Sequence, residues 1–441
     1  MSYRQIRKQD VVFWIGIYVV LVLAPLPLAL IGHEPASRGF WIEFGVGLGF
    51  VGLAIMGLQF LLTARFRSIA RLIGTDSMLQ FHRQAGLVSY GFILAHVVIL
   101  LSANRQFVAF LDPLVNLPRA AALAGVLALL TALLVTTLWR QQLGIVYRWW
   151  RVTHGVMAMV VLLIGLAHIL QVGFYIDVLW KQGVWVLLTF GALGLLLQVR
   201  LVKPMWMARR PYRVAAVRQE APRVWTLELD PVGHKGLSFR AGQFAWLTLS
   251  SSPFTMEQHP FSLSSSDAAP GGCSMTIKAL GDFTSRIGQV AVGRRAFLEG
   301  PYGAFGLSNE ASGAVMIAGG IGITPIMSIL RSMDDRHDSR PTWLIYGVAD
   351  EQQLVFREEL ERLCNHISLK VRFMVEQPSD QWQGLRGRIT PQFLLEHCPK
   401  EVPGLEYLIC GPDPMMDIAE QTFRSWSIPW HRIRSERFSI A

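Results

Sequence analysis

Four histidines sit where histidine is expensive. In "FHRQAGLVSYGFILAH" they are His82 and His96, and in "THGVMAMVVLLIGLAH" they are His154 and His168, each pair fourteen residues apart in an apolar run. At about 100° per residue, fourteen positions nearly complete four turns, so the rings of a pair share one helix face within about 40°. The axial rise is about 21 Å, most of the hydrocarbon thickness of a bilayer. If both helices run the same way, His82 comes level with His154 and His96 with His168. Two opposed neutral imidazoles suit a haem iron with both axial positions filled. Two such pairs at two depths would hold two b-type haems and carry electrons across a membrane. The alternatives are that each histidine bonds a neighbouring helix, or that the pairs bind zinc. No carboxylate or cysteine lies level with either pair, which counts against zinc.

These helices belong to a chain of 441 residues, long enough for two or three domains. Its mean hydropathy is +0.36, and 16% of its residues are charged, so part of it must sit in lipid. The apolar excess ends near Val202. Before that point six runs are long enough to span a bilayer: approximately Val11–Ile31, Trp41–Leu62, Gln84–Leu101, Ala120–Leu138, Val152–Val172 and Gly183–Leu201. The first has no small-residue cleavage site and is followed by more spans, so it is not a cleaved signal peptide. Pro25 and Pro27 should kink or unwind it.

Basic residues alternate from side to side. Arg4, Arg7 and Lys8 precede the first run, and Arg65, Arg67, Arg71 and Arg83 separate the second from the third. Arg140, Arg148 and Arg151 separate the fourth from the fifth, and Arg200, Lys203, Arg209 and Arg210 follow the sixth. The other loops hold only Arg38, Arg105, Arg119 and Lys181. This positive-inside pattern places both termini in the cytoplasm. The expected location is a bacterial inner membrane. The net charge of +10 is largely this topology signal, and no nucleic-acid-binding motif accompanies it.

Beyond Pro204 the sequence changes character. From Arg213 to about Leu307, "VWTLELD", "GQFAWLTLS", "SMTIKAL" and "RRAFLEG" are short strands separated by Gly, Pro and Ser, which suggests a small antiparallel barrel. From about Ser308, the strands "AVMIAGG", "TWLIYGV", "LKVRFMV" and "EYLICG" alternate with helical segments, as in a parallel doubly wound sheet. Thr390-Pro391 reads as a helix start. The expected domains are residues 1–203, an all-α six-helix transmembrane bundle, 204–307, a β-barrel, and 308–441, an α/β unit. All four cysteines, Cys273, Cys364, Cys398 and Cys410, fall in the cytoplasmic half without CxxC spacing, which argues against iron–sulfur and zinc sites.

Several segments carry a resemblance. "HPFSLSSS" (259–266), "IKALGDFTS" (277–285), "GPYG" (300–303), "AGGIGITPIMSIL" (318–330), "CGPDPM" (410–415) and the tail "SERFSIA" occur in that order. With the histidine pairs, they make nearly the whole chain similar to the ferric reductase and NADPH oxidase family. In that family a six-helix haem domain is fused to a ferredoxin-reductase-like FAD and NAD(P)H module. The resemblance implies that His259, Pro260, Phe261 and Ser262 line the flavin. It implies that Lys278, Gly281, Thr284 and Ser285 hold the pyrophosphate. Gly319, Gly320, Gly322, Thr324 and Pro325 would form the nucleotide turn at a helix N-terminus. Cys410, Gly411, Pro412 and Met415 would border the nicotinamide, with Glu436 near hydride transfer and Phe438 against the flavin ring. The alternative for the tail is a terminal edge strand.

The implied activity passes electrons from cytoplasmic NAD(P)H through FAD and two bis-histidine haems to an extracytoplasmic acceptor. Oxygen, giving superoxide, a ferric chelate or an electron carrier would serve, and His33, Glu34, Arg38 and Arg105 lie in the outer loops. The alternatives are a haem-independent flavin reductase with a cytosolic acceptor and a haem redox sensor. For the nucleotide, Asp350 and Glu351 follow "TWLIYGV" and oppose a 2′-phosphate, while Arg386 and Arg388 favour one. The balance predicts weak discrimination, with NADPH modestly preferred through Arg388.

Overall fold

The computed structural model describes residues 8–32, 37–66, 75–269, 271–399 and 402–438. His33, Glu34, Arg4, Arg7, Arg67 and Arg71 lie outside the described residues. The chain forms two compact units, one of Gln9–Arg65 and Ser77–Val202, the other chiefly Lys203–Ala441.

The first unit is helical: α1 (Lys8–Leu23), α2 (Pro25–Leu30), α3 (Phe40–Thr63), α4 (Thr75–Ala103), α5 (Pro113–Leu138), α6 (Tyr147–Val172) and α7 (Leu179–Leu197). Among the described residues, six stretches are long and apolar enough to cross a membrane: Val12–Leu30, Phe40–Thr63, Ser77–Ala103, Pro113–Leu138, Tyr147–Val172 and Leu179–Ala208. The chain breaks at Ala24, and Pro25 opens α2, as the two prolines lead one to expect. The fourth span starts earlier than the apolar run. Asp112 caps Leu114 N, Pro113 occupies the first turn, and the residue before Leu117-Pro118, Asn116, leaves helical geometry (φ −158°, ψ 94°) so that the helix can continue past Pro118. Outward side chains such as Phe13, Phe40, Leu187 and Phe190 are exposed and apolar, as lipid-facing residues must be.

Glycines on α3 let its neighbours come close. A Cβ on Gly45, Gly49 or Gly52 would lie 3.1 Å from Ile99 Cγ2, 2.7 Å from His96 Nδ1 and 2.8 Å from Ile93 Cγ1, all on α4. Ser89 of α4 donates a 2.8 Å hydrogen bond to the Gly52 carbonyl. Gly165 of α6 makes the same room for Leu53, 2.8 Å from its would-be Cβ. Small residues take the place of hydrophobic burial here, because lipid tails are as apolar as leucine.

In the second unit, α8 (Lys203–Ala208) leads into β1 (Tyr212–Ala221), β2 (Val224–Pro231), β3 (Phe244–Thr248), β4 (His259–Ser262), β5 (Cys273–Lys278) and β6 (Arg295–Tyr302). They form an antiparallel sheet ordered β4-β3-β6-β1-β2-β5, whose two edges meet at a bridge between Leu263 and Met275. Its interior is Val214, Leu227, Leu229, Leu247, Leu263 and Met275, none of them exposed. Next come β7 (Gly313–Gly319), α9 (Ile323–Asp335), β8 (Thr342–Val348), α10 (Arg357–His366), β9 (Leu369–Val375), β10 (Leu385–Arg386), α11 (Pro391–His397), β11 (Leu405–Cys410), α12 (Asp413–Ser425) and β12 (Ile433–Glu436). This sheet is parallel, ordered β10-β9-β8-β7-β11-β12, so the winding reverses between β7 and β11. Thr390 caps α11 through Phe393 N, as its sequence indicates. The Ser264–Ser266 run ties the two sheets together. Arg331 donates to Ser264 O at 2.6 Å and Ser328 to Ser265 O at 2.6 Å, while Ser332 and Ser266 join their hydroxyls at 3.2 Å.

The glycine contacts can be checked directly. Gly49→Ala should destabilise the helical unit by about 1–3 kcal/mol, the usual cost of overpacking, measured as a lowered Tm in detergent. Gly47→Ala is the control: its Cβ meets only Leu26 Cδ2, at 3.5 Å, and its Tm should be unchanged.

Candidate functional site

The fourteen-residue spacing places the histidines as the helical period demands. His82 of α4 and His154 of α6 face each other with ring centres 6.3 Å apart and planes at 60°. Two imidazole–metal bonds of about 2.0 Å, each with ~1.1 Å from nitrogen to ring centre, would separate two coordinating rings by roughly 6.2 Å. The His154 Nδ1 lies 3.4 Å from Thr137 Oγ1, while the His82 Nδ1 is buried without a partner. At the other level, His96 Nδ1 is 2.8 Å from the Gly45 carbonyl. A carbonyl only accepts, so the proton sits on Nδ1 and the Nε2 lone pair is left for a metal.

His96 and His168 line one cavity of about 200 Å³ with Gly49, Phe50, Gly165 and Arg38. The Arg38 guanidinium lies 3.8 Å over the Phe174 ring and 3.5 Å from Glu43 Oε1, with Nη2 buried and unpartnered. Arg119 bonds the Ala109 carbonyl at 2.9 Å and also keeps a buried, unpartnered Nε. Arg105 is exposed. Among the described residues, no three His, Cys, Asp or Glu side chains converge as a metal cluster, so the histidines stand as pairs.

In the second unit, "HPFS" is strand β4, and it pairs Pro260 with Trp246 and Ser262 with Phe244 on β3. The His259 ring stacks on Phe283 (4.2 Å, 26°), and Phe261 lies nearly parallel to the same ring (6.1 Å, 17°). The Ser262 hydroxyl is buried without a partner, an orphan that a ring nitrogen or carbonyl of a bound flavin would satisfy. Around Gly281 the hydroxyls turn inward. Thr284 Oγ1 accepts from Leu280 N and Gly281 N, both at 2.9 Å, and Ser285 Oγ donates to Gly281 O at 2.8 Å. Lys278 reaches away from them and donates to Gln353 Oε1, 3.0 Å away on the turn after β8.

The nucleotide segments meet at the reversal point of the parallel sheet. β7 runs beside β11, with Ala318 opposite Cys410. A Cβ on Gly322 would collide with the Cys410 carbonyl, and one on Gly319 would come within 2.6 Å of Pro412 Cδ and 2.8 Å of Met415 Sδ. Gly320 takes φ +51°, and Thr324 Oγ1 bonds Ile321 O at 2.9 Å in the turn that starts α9, where Pro325 follows. The groove outside this point, at a helix N-terminus and the carboxyl ends of strands, is where open α/β sheets bind ligands. The tail is an edge strand that borders the "GPYG" turn. β12 lies parallel to β11, with Glu436 opposite Cys410, and the Glu436 carboxylate reaches within 3.1 Å of a Cβ built on Gly303 of "GPYG". Phe438 follows, 41% exposed.

The residues expected to set nucleotide selectivity pair in a way the sequence does not announce. Arg388 Nε binds Glu376 Oε2 at 3.0 Å, and Asp350 is occupied as a cap, accepting from Gln352 N at 2.9 Å. Arg386 bonds the Trp382 carbonyl. Sequence reasoning also passed over Gly45 and Gly49, although their i, i+4 spacing on an apolar helix signals close packing. It missed Gln59, buried on α3 with both amide atoms unpartnered, and Trp150, one turn before His154.

Residues 48–165 match the ferric reductase like transmembrane component, residues 226–306 an FAD-binding domain, and residues 316–421 the oxidoreductase NAD-binding domain. The reductase component of propane 2-monooxygenase from Mycolicibacterium smegmatis is 28% identical over 236 residues, 52% of this chain and 67% of the relative. NADH-cytochrome b5 reductase 1 of Aspergillus terreus is 28% identical over 171 residues, 36% of this chain and 58% of that protein. The chain thus spans about two thirds or less of these relatives. The cytochrome b5 reductase domain of Ulva prolifera nitrate reductase is 18% identical, with a TM-score of 0.45 over 53% of this chain and 98% of its own. A ferric-reductase-like transmembrane component joined to FAD-binding and NAD-binding domains makes the chain a member of the ferric reductase and NADPH oxidase family, an NAD(P)H-dependent membrane oxidoreductase.

Proposed function

We propose that the chain carries electrons from cytoplasmic NAD(P)H, through FAD and two bis-histidine haems, to an acceptor on the far side of the membrane. The acceptor would be oxygen or a ferric chelate. The facing of His82 and His154 at 6.3 Å carries this reading, with His96 and His168 on one cavity as its second half. The proposed division is residues 1–203 for the haem domain, 204–307 for FAD and 308–441 for the nucleotide. When bound, FAD converts a two-electron hydride into single electrons and the haems conduct them.

The protein's part is to hold and to exclude. Gly319 and Gly322 let their turn pack against Cys410–Met415, and the helix N-terminus that this turn opens would receive a pyrophosphate with the nicotinamide beside it. Ser262 offers a buried hydroxyl to the flavin, and Glu436 supplies a carboxylate beside Gly303. His82 and His154 would ligate the inner haem, and His96 and His168 the outer. The Arg38 Nη2 gives the outer cavity a positive end, suited to an anionic chelate or to superoxide. Outward flow is favoured by an inside-negative potential, by about 2.3 kcal/mol per elementary charge at 100 mV.

Three outcomes check this reading. In reduced-minus-oxidised spectra, His96→Ala or His168→Ala should remove one haem and leave the other reducible by NAD(P)H, whereas His82→Ala or His154→Ala should stop reduction of both. Haem content unchanged by all four substitutions would refute the ligand assignment. A fragment from Met205 onward should fold in water, bind FAD and reduce a soluble dye; a folded fragment without flavin would count against the domain division. The Glu376 partnership offsets the charge of Arg388, so kcat/KM for NADH and NADPH should differ by less than tenfold, about 1.4 kcal/mol. Glu376→Gln should move the ratio toward NADPH and Arg388→Ala toward NADH.

A further inference from the structure

We propose that Trp150 and Arg140 form a carboxylate seat beside the inner histidine pair, holding a propionate of the haem that His82 and His154 would ligate. This rests on the two-haem reading above. Trp150 lies in the first turn of α6, four residues before His154, and its indole packs on the His154 ring with centres 5.1 Å apart at 43°. Its Nε1 is buried and has no acceptor. A buried N–H left without an acceptor is costly, so the site favours whatever supplies one. The His154 ring is not that acceptor. Its Nδ1 faces Thr137, and its other nitrogen is the metal-ligating one.

The surroundings define the missing acceptor's chemistry. The Arg140 guanidinium carbon lies 5.7 Å from the Trp150 ring centre and 5.1 Å from that of Tyr147. No carboxylate stands within ion-pair distance of Arg140 among the described residues. Tyr147 packs on Trp150 at 5.6 Å and walls the group from the side. A buried indole N–H, an uncompensated guanidinium and aromatic walls, all one turn from a metal-binding imidazole, call for a flat apolar body with an anionic end. Haem has that form, and its propionates are its only carboxylates. They would point toward the near aqueous face, where α5 ends at Leu138 and α6 begins at Tyr147. A donor and a cation on that propionate neutralise negative charge near the iron. They therefore favour the reduced metal and raise the inner haem's potential above what the two imidazoles alone would set.

The test is a visible potentiometric titration of the full chain in detergent. Trp150→Phe keeps the ring packing and removes the N–H. It should leave two haems bound and lower the midpoint of one, the one that survives in a His96→Ala background. Arg140→Gln should lower the same midpoint, and should carry the test if Trp150→Phe fails to retain haem. In protein reconstituted with haem dimethyl ester, whose carboxylates are blocked, neither substitution should shift the midpoint further; a packing role alone would shift it equally with either haem. Two haems bound with the inner midpoint unchanged in both variants would overturn the seat, as would a shift that persists undiminished with the ester. A wild-type protein that binds no haem would overturn the two-haem reading itself, a result these titrations distinguish from the first.

Discussion

An imidazole in hydrocarbon must have something to bind, and the helical unit is built around that demand. The rings of His82 and His154 can face each other only if α4 and α6 run the same way at the right depth and distance. Their direction follows from the single crossing, α5, that separates them. Their separation is then held through α3, whose glycines admit His96 and Ile93 on one side, and whose Leu53 fits against Gly165 of α6 on another. The carbonyl of Gly45, in the same helix, fixes which nitrogen of His96 carries the proton. The glycines therefore set both the space for the histidine and its chemical form.

The second unit solves a different problem, keeping two cofactor sites in register. The Ser264–Ser266 run continues the strand that carries Ser262, and its carbonyls and hydroxyls anchor Arg331, Ser328 and Ser332 on α9. That helix begins at the glycine turn of the nucleotide groove. One stretch of chain thus connects Ser262, the hydroxyl proposed for the flavin, with the helix proposed for the phosphates. Arg331 is held in turn by Glu359 through two 2.6 Å bonds, so the anchor is fixed from α10 as well.

The sequence makes some of this legible and hides the rest for physical reasons. Membrane helices have one period and little freedom of register, so residue spacing alone indicated which histidines would meet. The strand "TWLIYGV" runs from 342 to 348 in the structure as in the pattern, because a fully buried parallel strand is an uninterrupted apolar run. The four-residue strands β4 and β12 have no such run. They exist because β3 and β11 lie beside them, and the partners are distant in sequence. The same distance conceals the pairing of Arg388 with Glu376 and of Lys278 with Gln353, since charge patterning shows which side chains are basic but not which acceptor a fold brings alongside. The start of α5 lies ahead of the apolar run because Pro118 is accommodated by one non-helical residue, Asn116.

The burial of the thiols has a consequence for durability. Burial pushes the Cys273 thiol up to about 12, with the nearby Asp230 adding to it, and pushes Cys398 up to about 12. Cys410 is wholly enclosed where its strand meets the nucleotide groove. The thiolate is the form that attacks peroxide, and a thiol held protonated and out of water is inert. A flavoprotein in air makes its own peroxide, one stray electron pair at a time. Cys410, at the nucleotide groove, is likewise kept out of water, so that a slow leak of oxidant would meet methionine and solvent before it met that sulfur.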